Sequence, residues 1–461
     1  MTSRFRVTFE RNVAIPMRDG TILRADLYLP DLPGPFPALL QRTPYNKAYL
    51  PVVLSLDPLR AAGEGYAVIV QDTRGRYASE GEFYPFRNEA DDGYDSVEWI
   101  AGQAWCNGKV GMLGASYAGA NQLHAAQAQP PHLAAIAPWI TASDYHEGWT
   151  YQGGAFCLGF NLNWTLTRLA PDVLRRLDLP NLGQRQELLG HAVDGLAETY
   201  RRLPLTNQPE LADCAPFYLD WLSHPDDDAY WRQIRIEDRY DRVGVPTFHL
   251  GAWYDIFLGG TLRNFIGLRE RGQNELARRH QKLVIGPWIH STDLSNLSGE
   301  VDFGQNANRL AFDLDGMLLR WFDRWLKKTD NRADADPPVR LFVMGENVWR
   351  DEWEWPLARA IPTPFYLHSR GGANSARGDG VLSREAPGAE PVDVYSSDPH
   401  HPVPTRGGGL CCYPPALPPG AFDQRPIEER SDVLVYTSVP LAVDLEVTGP
   451  ITAVIYAATT A

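Results

Sequence analysis

Residues 109–129 read KVGMLGASYAGANQLHAAQAQ, an apolar run, a cluster of small residues, then a stretch with helical spacing. A buried strand that turns into a helix through Gly114-Ala115-Ser116-Tyr117-Ala118-Gly119 holds its serine in a strained backbone conformation, and small neighbours let strand and helix approach. The serine hydroxyl then stands clear of the sheet, with the positive end of the helix aimed where an anion would form. Ala118 occupies the second glycine position of the G-x-S-x-G pattern, but alanine is small and Gly119 follows. Such a turn also arises for packing alone, so a chemical role needs partners elsewhere in the chain.

Outward from this turn the pattern repeats. YAVIVQD (66–72) reads as a buried strand, DDGYDSVEWIAGQ (91–103) as a helix and LAAIAPWI (133–140) as another strand, the alternation that builds a parallel sheet with helices on its faces. NVAIPM, ILRADLYLP and PALLQRTPY, ahead of it, are short strand-like runs broken by Gly and Pro. Between about Asp144 and Arg242 the strand signal gives way to irregular helices such as APDVLRRLDLP and CAPFYLDWLSH, then resumes at PTFHLGAWYD (246–255) and QKLVIGPWIH (281–290). An α/β domain interrupted by a helical cap is expected.

A long amphipathic stretch, 307–330, closes that domain, and NRADADPP (331–338) reads as a linker. Beyond it VRLFVMG, TPFYLHS, PVDVYSS, DVLVYTS, AVDLEVTG and ITAVIYAA follow at short spacing, which predicts an all-β sandwich. The last run stops at Ala461 with no closing element, so this β domain is expected to be incomplete.

The 461 residues are 44% hydrophobic, enough for large cores. A net charge of −14 repels phosphate backbones and excludes nucleic acid as a natural partner. Residues 1–20 have scattered charges and no apolar core of the kind a signal peptide needs, and no uninterrupted apolar stretch reaches membrane-spanning length, so a cytoplasmic location is expected. The five cysteines show no C-x-x-C spacing. Adjacent Cys411 and Cys412 read as two small apolar residues facing opposite ways on a strand, with no disulfide and no metal.

In an α/β sheet with a serine nucleophile, the acid and the base follow the serine on loops after later strands. Asp255 directly follows the run TFHLGAWY and His290 follows LVIGPWI. Of the other histidines, His124 falls on the helix after the serine, His249 inside a strand, His146 at the head of the cap, His280 at a charged helix end, and His400 and His401 in a polar loop. Ser116, Asp255 and His290 are therefore the candidate triad. The Asp226-Asp227-Asp228 run reads as a solvated loop.

The motifs RNVAIPMRDG, QRTPYNK, QDTRGRYASEGEF, QAWCNGKVGMLGASYAG, GAWYDIF and VIGPWIH, with RLFVMGENVWRDEWEWP beyond them, together resemble the cocaine-esterase branch of the bacterial acyl esterases grouped with X-prolyl dipeptidyl peptidases and α-amino-acid ester hydrolases. The resemblance implies an α/β-hydrolase fold with an inserted helical cap and a C-terminal β jelly roll. It puts hydrolase segments at 1–144 and 242–355, the cap at 145–241 and the jelly roll at 356–461. It implies an oxyanion hole made by the Tyr117 N–H and the Tyr45 hydroxyl. It also implies an acyl pocket lined by Trp149, Trp164 and Phe257, with Leu410 and Cys411 from the β domain. A homodimer is the family-level expectation.

The α-amino-acid ester hydrolases place carboxylates just after the catalytic Asp to hold an ammonium group, but here that stretch is Asp255-Ile256-Phe257-Leu258. A small neutral or aromatic acyl ester, cleaved through an acyl-enzyme without cofactor or metal, is the expected substrate. The alternatives are an X-prolyl aminopeptidase or amidase using the same triad, and a non-catalytic carbohydrate-binding protein.

Overall fold

The computed structural model describes residues 6–53, 55–412 and 418–460. Ten strands form one sheet: β1 (Val7–Pro16), β2 (Ile22–Pro30), β3 (Phe36–Thr43), β4 (Ala67–Asp72), β5 (Cys106–Ala115), β6 (Leu133–Trp139), β7 (Thr247–Tyr254), β8 (Gln281–Ile289), β9 (Val339–Val343) and β10 (Val348–Glu352). Their order across the sheet is β1-β2-β4-β3-β5-β6-β7-β8-β9-β10. β1 and β2 pair antiparallel, β2 runs antiparallel to β4, and from β4 to β9 every neighbour is parallel. This is the α/β-hydrolase arrangement. β4 is buried along its whole length, which is why its first four residues, Ala67-Val68-Ile69-Val70, read as a continuous apolar run and not as an alternating one.

Helices cover both faces. On one lie α1 (Glu89–Ala101), α2 (Tyr117–Gln127) and α3 (Leu258–Arg271), whose Val97, Ile100, Leu123 and Leu268 join a core with Leu23, Leu40 and Met112. On the other lies α4 (Leu314–Leu326), whose Leu314, Leu318 and Phe322 pack on Leu39, Leu113 and Val284. Each such side chain contributes roughly 1.5–3 kcal/mol by leaving water. The 307–330 stretch is not one helix: Asp313 takes a left-handed conformation (φ 46°), and its carboxylate accepts from Gly316 N at 3.2 Å. The chain thus stops after Phe312 and a freshly capped helix begins.

Between β6 and β7 the cap consists of short helices, among them Leu158–Trp164, Ala170–Arg176, Leu182–Asp194 and Pro216–Ser223, with a π-helical turn at Thr165–Leu169. No helix among the described residues is long and apolar enough to cross a membrane.

The chain divides into two compact units, residues 1–351 with 407–421, and residues 352–406 with 422–461. VRLFVMG therefore belongs to the hydrolase sheet as β9, because it finds β8 as a parallel partner. The described residues between Gly407 and Ala421, expected in the β domain, belong to the hydrolase unit. In the second unit Tyr366–His368 and Val381–Ser383 pair as a ribbon, and Asp393 gathers Ala373 N, Ser369 Oγ and Tyr436 Oη. The runs PVDVYSS, AVDLEVTG and ITAVIYAA form no strand among the described residues. Their alternation fits a half-buried pleat, but a strand also needs a neighbour to bond, and Val443 and Val447 are 78% and 67% exposed.

Candidate active site

Ser116 sits between β5 and α2 with φ 60° and ψ −120°, a backbone conformation that a non-glycine residue holds only when its surroundings enforce it. Here they do. A Cβ on Gly114 would lie 2.7 Å from the Ala118 Cβ, and one on Gly119 would lie 2.8 Å from the Trp139 carbonyl oxygen. Strand and helix close over these positions, so the alanine in place of the motif's second glycine is accommodated. The Ser116 N–H donates to the Trp139 carbonyl at 2.9 Å. The Tyr117 N–H, in the first turn of α2, has no partner within the helix to bond.

The other two candidates arrive by register. β7 and β8 run parallel with Tyr254 opposite Ile289, so the residues that follow, Asp255 and His290, leave the sheet side by side. Asp255 Oδ1 lies 2.7 Å from His290 Nδ1, and His290 Nε2 lies 3.0 Å from Ser116 Oγ. The Asp255 carboxylate is buried and the imidazole nearly so. A carboxylate on one nitrogen fixes the tautomer and leaves the other nitrogen free to take a proton from the serine.

Tyr45 follows β3, and its hydroxyl accepts from Trp164 Nε1 at 3.0 Å. Burial pushes this phenol up to about 12, against the lowering influence of hydrogen bonds with Trp164 and Ser116. It therefore keeps its proton at neutral pH and is a donor beside the nucleophile. Arg76 fixes the Tyr45 loop: its buried guanidinium donates to the carbonyls of Pro44, Leu169 and Arg168 at 2.8, 2.7 and 2.9 Å, tying the loop to the cap. The Tyr117 side chain faces away from the site. Its hydroxyl donates to Glu89 Oε1 at 2.9 Å, and its ring stacks on Phe86.

A cavity of about 360 Å³ opens over Ser116 and His290, with Tyr45, Val52, Ile140, Trp164, Ile289 and Cys412 in its wall. Its charged residues, Arg168 and Asp293, are exposed. A second cavity of about 500 Å³ in the cap, between Leu166 and Asp194, holds none of the candidate triad.

Of the five residues expected in the acyl pocket, Trp164 lines the cavity, and Trp149, Phe257, Leu410 and Cys411 are set back from it. Trp149 and Phe257 are buried with their rings stacked at 4.2 Å, and the Phe257 ring meets the His290 imidazole edge-on. Their apolar surface is already spent on each other, so they back the site and do not wall it.

The expectation for the cysteine pair is also corrected: Cys411 and Cys412 are joined by a disulfide. Residues 407–412 form no strand but a loop with positive φ at Gly407, Gly408 and Cys412, so successive side chains need not alternate. The loop is bridged at Gly408–Gly420 and Gly299–Ala421, and a Cβ on Gly409 would lie 3.1 Å from the Asp255 carbonyl oxygen.

The other weighed residues stay outside the site. His124 and His249 are buried, and burial lowers them to about 3 and about 4. His146 bonds the Pro225 carbonyl. Asp227 pairs with Arg235, and Asp228 caps the turn at Ala229–Arg232.

Residues 19–292 match the X-Pro dipeptidyl-peptidase (S15) family, and residues 331–461 match the X-Pro dipeptidyl-peptidase C-terminal non-catalytic domain. The chain is 38% identical over 455 residues to the cocaine esterase of Rhodococcus sp. (strain MB1 Bresler), covering 98% of this chain and 78% of that protein. It is 27% identical over 510 residues to a putative serine esterase of Mycobacterium tuberculosis (strain CDC 1551 / Oshkosh), covering 97% and 75%. Among solved structures, an α-amino acid ester hydrolase superposes with a TM-score of 0.71 at 24% identity, covering 97% of this chain and 75% of that one.

Proposed function

Since this chain belongs to the X-Pro dipeptidyl-peptidase (S15) family and, within it, to the CocE/NonD hydrolases, we propose that it is a serine carboxylic-ester hydrolase that cleaves neutral or aromatic acyl esters at Ser116. The observation that carries this is the hydrogen-bonded line from Asp255 through His290 to Ser116 Oγ, with a protonated phenol beside it.

Ser116 Oγ attacks the ester carbonyl while His290 Nε2 accepts the hydroxyl proton, and Asp255 stabilises the imidazolium that results. The carbonyl oxygen, now negative, takes hydrogen bonds from the Tyr45 hydroxyl and the Tyr117 N–H. Such preorganised donors act on charge that develops only in the transition state. As the tetrahedral adduct collapses, the C–O bond to the alcohol breaks and His290 returns its proton to the leaving oxygen. Water, deprotonated by His290, then hydrolyses the acyl-serine and frees the acid.

An X-prolyl substrate carries an ammonium group that needs a paired anion once out of water. The carboxylate in the cavity lining is Asp293, which is exposed and matched by the exposed cation Arg168, and the residues after Asp255 are Ile256, Phe257 and Leu258, so among the described residues no buried carboxylate lines the cavity to pair with that ammonium. This favours the ester over the dipeptidyl amide. The same proposal takes residues 145–241 as the cap and the protein as a cytoplasmic homodimer acting on a small molecule.

The test is hydrolysis of p-nitrophenyl acetate and butyrate beside an Xaa-Pro anilide, by the wild type and by Ser116→Ala. Ester cleavage that disappears in the variant, with a much slower anilide reaction, is expected. A faster anilide reaction would replace the esterase by the aminopeptidase, and ester cleavage that survives in Ser116→Ala would remove the triad.

A further inference from the structure

We propose that Cys411, Cys412 and His290 form a binding site for a thiophilic divalent cation such as Zn²⁺, filled only when the cysteine pair is reduced, and that filling it switches the hydrolase off. Silencing presupposes the base role of His290 proposed above; binding does not.

The two sulfurs and a His290 ring nitrogen all lie within 4.8 Å of one another. Cys411 is buried, and Cys412 stands in the cavity wall with Ser116 and His290. Two thiolates and an imidazole are a donor set suited to zinc, whose bonds of about 2.3 Å to sulfur and about 2.0 Å to nitrogen put neighbouring ligands roughly 3.5 Å apart. Side-chain adjustments of about an ångström bring the three donors to that spacing. Two thiolates also neutralise the dication in a half-buried setting where an unpaired charge would be costly.

His290 is already oriented as a ligand. Asp255 holds Nδ1 at 2.7 Å, the carboxylate-imidazole arrangement that fixes a metal-binding ring and raises its basicity. The other nitrogen, Nε2, is bonded to Ser116 Oγ at 3.0 Å. Cation and serine proton therefore compete for one lone pair, and a bound cation leaves Ser116 without its base. The loop that carries the sulfurs is held by backbone bridges and by its close approach at Gly409 to the Asp255 carbonyl, so its placement does not depend on the S–S bond alone.

The oxidised pair offers no thiolate and takes no zinc. A small-molecule dithiol opens the site: it delivers two electrons and two protons to the sulfurs, itself becoming a disulfide, and zinc uptake then releases the two thiol protons.

The experiment uses the full chain, reduced with excess dithiol and desalted without air into thiol-free buffer, beside an oxidised sample. Zn²⁺ is titrated against p-nitrophenyl butyrate hydrolysis, each protein normalised to its zinc-free rate. Co²⁺ binding is followed in parallel by its thiolate charge-transfer absorption. Inhibition reversed by EDTA, and weakened more than about tenfold by oxidation, by Cys411→Ser or by Cys412→Ser, is expected. Ser116→Ala, silent in hydrolysis, keeps the cobalt band and one equivalent of zinc, whereas His290→Ala loses affinity. Ser116→Ala thus separates failure of the metal site from failure of the esterase. Equal inhibition of reduced and oxidised protein, or of Cys412→Ser and wild type, overturns the proposal by leaving histidine as the sole ligand, as does a reduced Ser116→Ala with no thiolate band.

Discussion

Replacing Tyr45 by Phe removes one oxygen and keeps the ring that lines the cavity. In the folded protein that oxygen has two neighbours, Trp164 Nε1, which donates to it at 3.0 Å, and Ser116. Because burial pushes the phenol up to about 12, the hydroxyl carries its proton across the whole working pH range. Its loss is the loss of one of two oxyanion donors, which lowers kcat by about 10²–10³, or about 3–4 kcal/mol of transition-state stabilisation. KM should change little, because the ground-state carbonyl needs that donor less. The Trp164 N–H left without an acceptor costs about 1–3 kcal/mol of stability. Steady-state kinetics on p-nitrophenyl butyrate, with urea unfolding on the same preparation, read the two effects separately. Trp164→Phe is the companion variant: it leaves the phenol in place, removes a donor worth about 1 kcal/mol, and should slow turnover by no more than about tenfold. A kcat within threefold of wild type for Tyr45→Phe would refute a phenolic oxyanion donor and leave the Tyr117 N–H to act without it.

Gly119→Val puts side-chain carbon where the Trp139 carbonyl and Thr141 already stand, 2.8 and 3.0 Å from the Cβ position. It should destabilise the fold by about 1–3 kcal/mol and lower kcat; an unchanged urea midpoint would count against the tight turn. Arg76→Met strips three carbonyls, two of them in buried bonds, of their donor. A loss of about 3 kcal/mol is expected, with a fall in kcat as the Tyr45 loop loosens, and full activity would show that the loop is held by other means. His124 and His249 are neutral in the fold, lowered by burial to about 3 and about 4, whereas the unfolded chain takes these protons near 6.5. Their contribution is complete above 6.5 and is lost as pH falls, at about 1.4 kcal/mol per unit for each ring. Asp72, raised by burial to about 6, acts oppositely between about 6 and 3.8. His124→Phe, whose ring would keep the stack on Tyr145, should therefore flatten the decline in stability between pH 7 and 5 by about 2 kcal/mol; parallel profiles for variant and wild type would show that His124 is protonated in the fold.

The candidate triad was legible because each of its members sits at the exit of a strand that the sequence marks unmistakably. LVIGPWI and TFHLGAWY end one residue before His290 and Asp255, and the Tyr254–Ile289 register does the rest. Tyr45 has no such mark. A tyrosine after a strand reads as a turn aromatic, and the role proposed for it rests on the resemblance, while Arg76, which holds the loop, gave no signal in a charged stretch. The cysteine pair was misread because alternation was assumed where the backbone makes left-handed turns at Gly407 and Gly408. The runs after residue 390 alternate as strands do, yet pairing is a property of two segments and not of one. Trp149 and Phe257 were expected to line the pocket, but they are set back from the cavity and stack on each other, which depends on a meeting of cap and loop that periodicity does not encode.

Residues 407–421 belong to the hydrolase unit although 55 residues of the other unit, Glu352–Arg406, separate them from it in the chain. Translation releases the chain from the amino end, so the ribosome delivers Ser116, Asp255 and His290 long before the segment that lies against the Asp255 turn and supplies Cys412 to the cavity wall. During synthesis the reactive groups emerge first and their surround is completed last, which makes the maturation of this enzyme a matter of timing along the transcript as well as of folding.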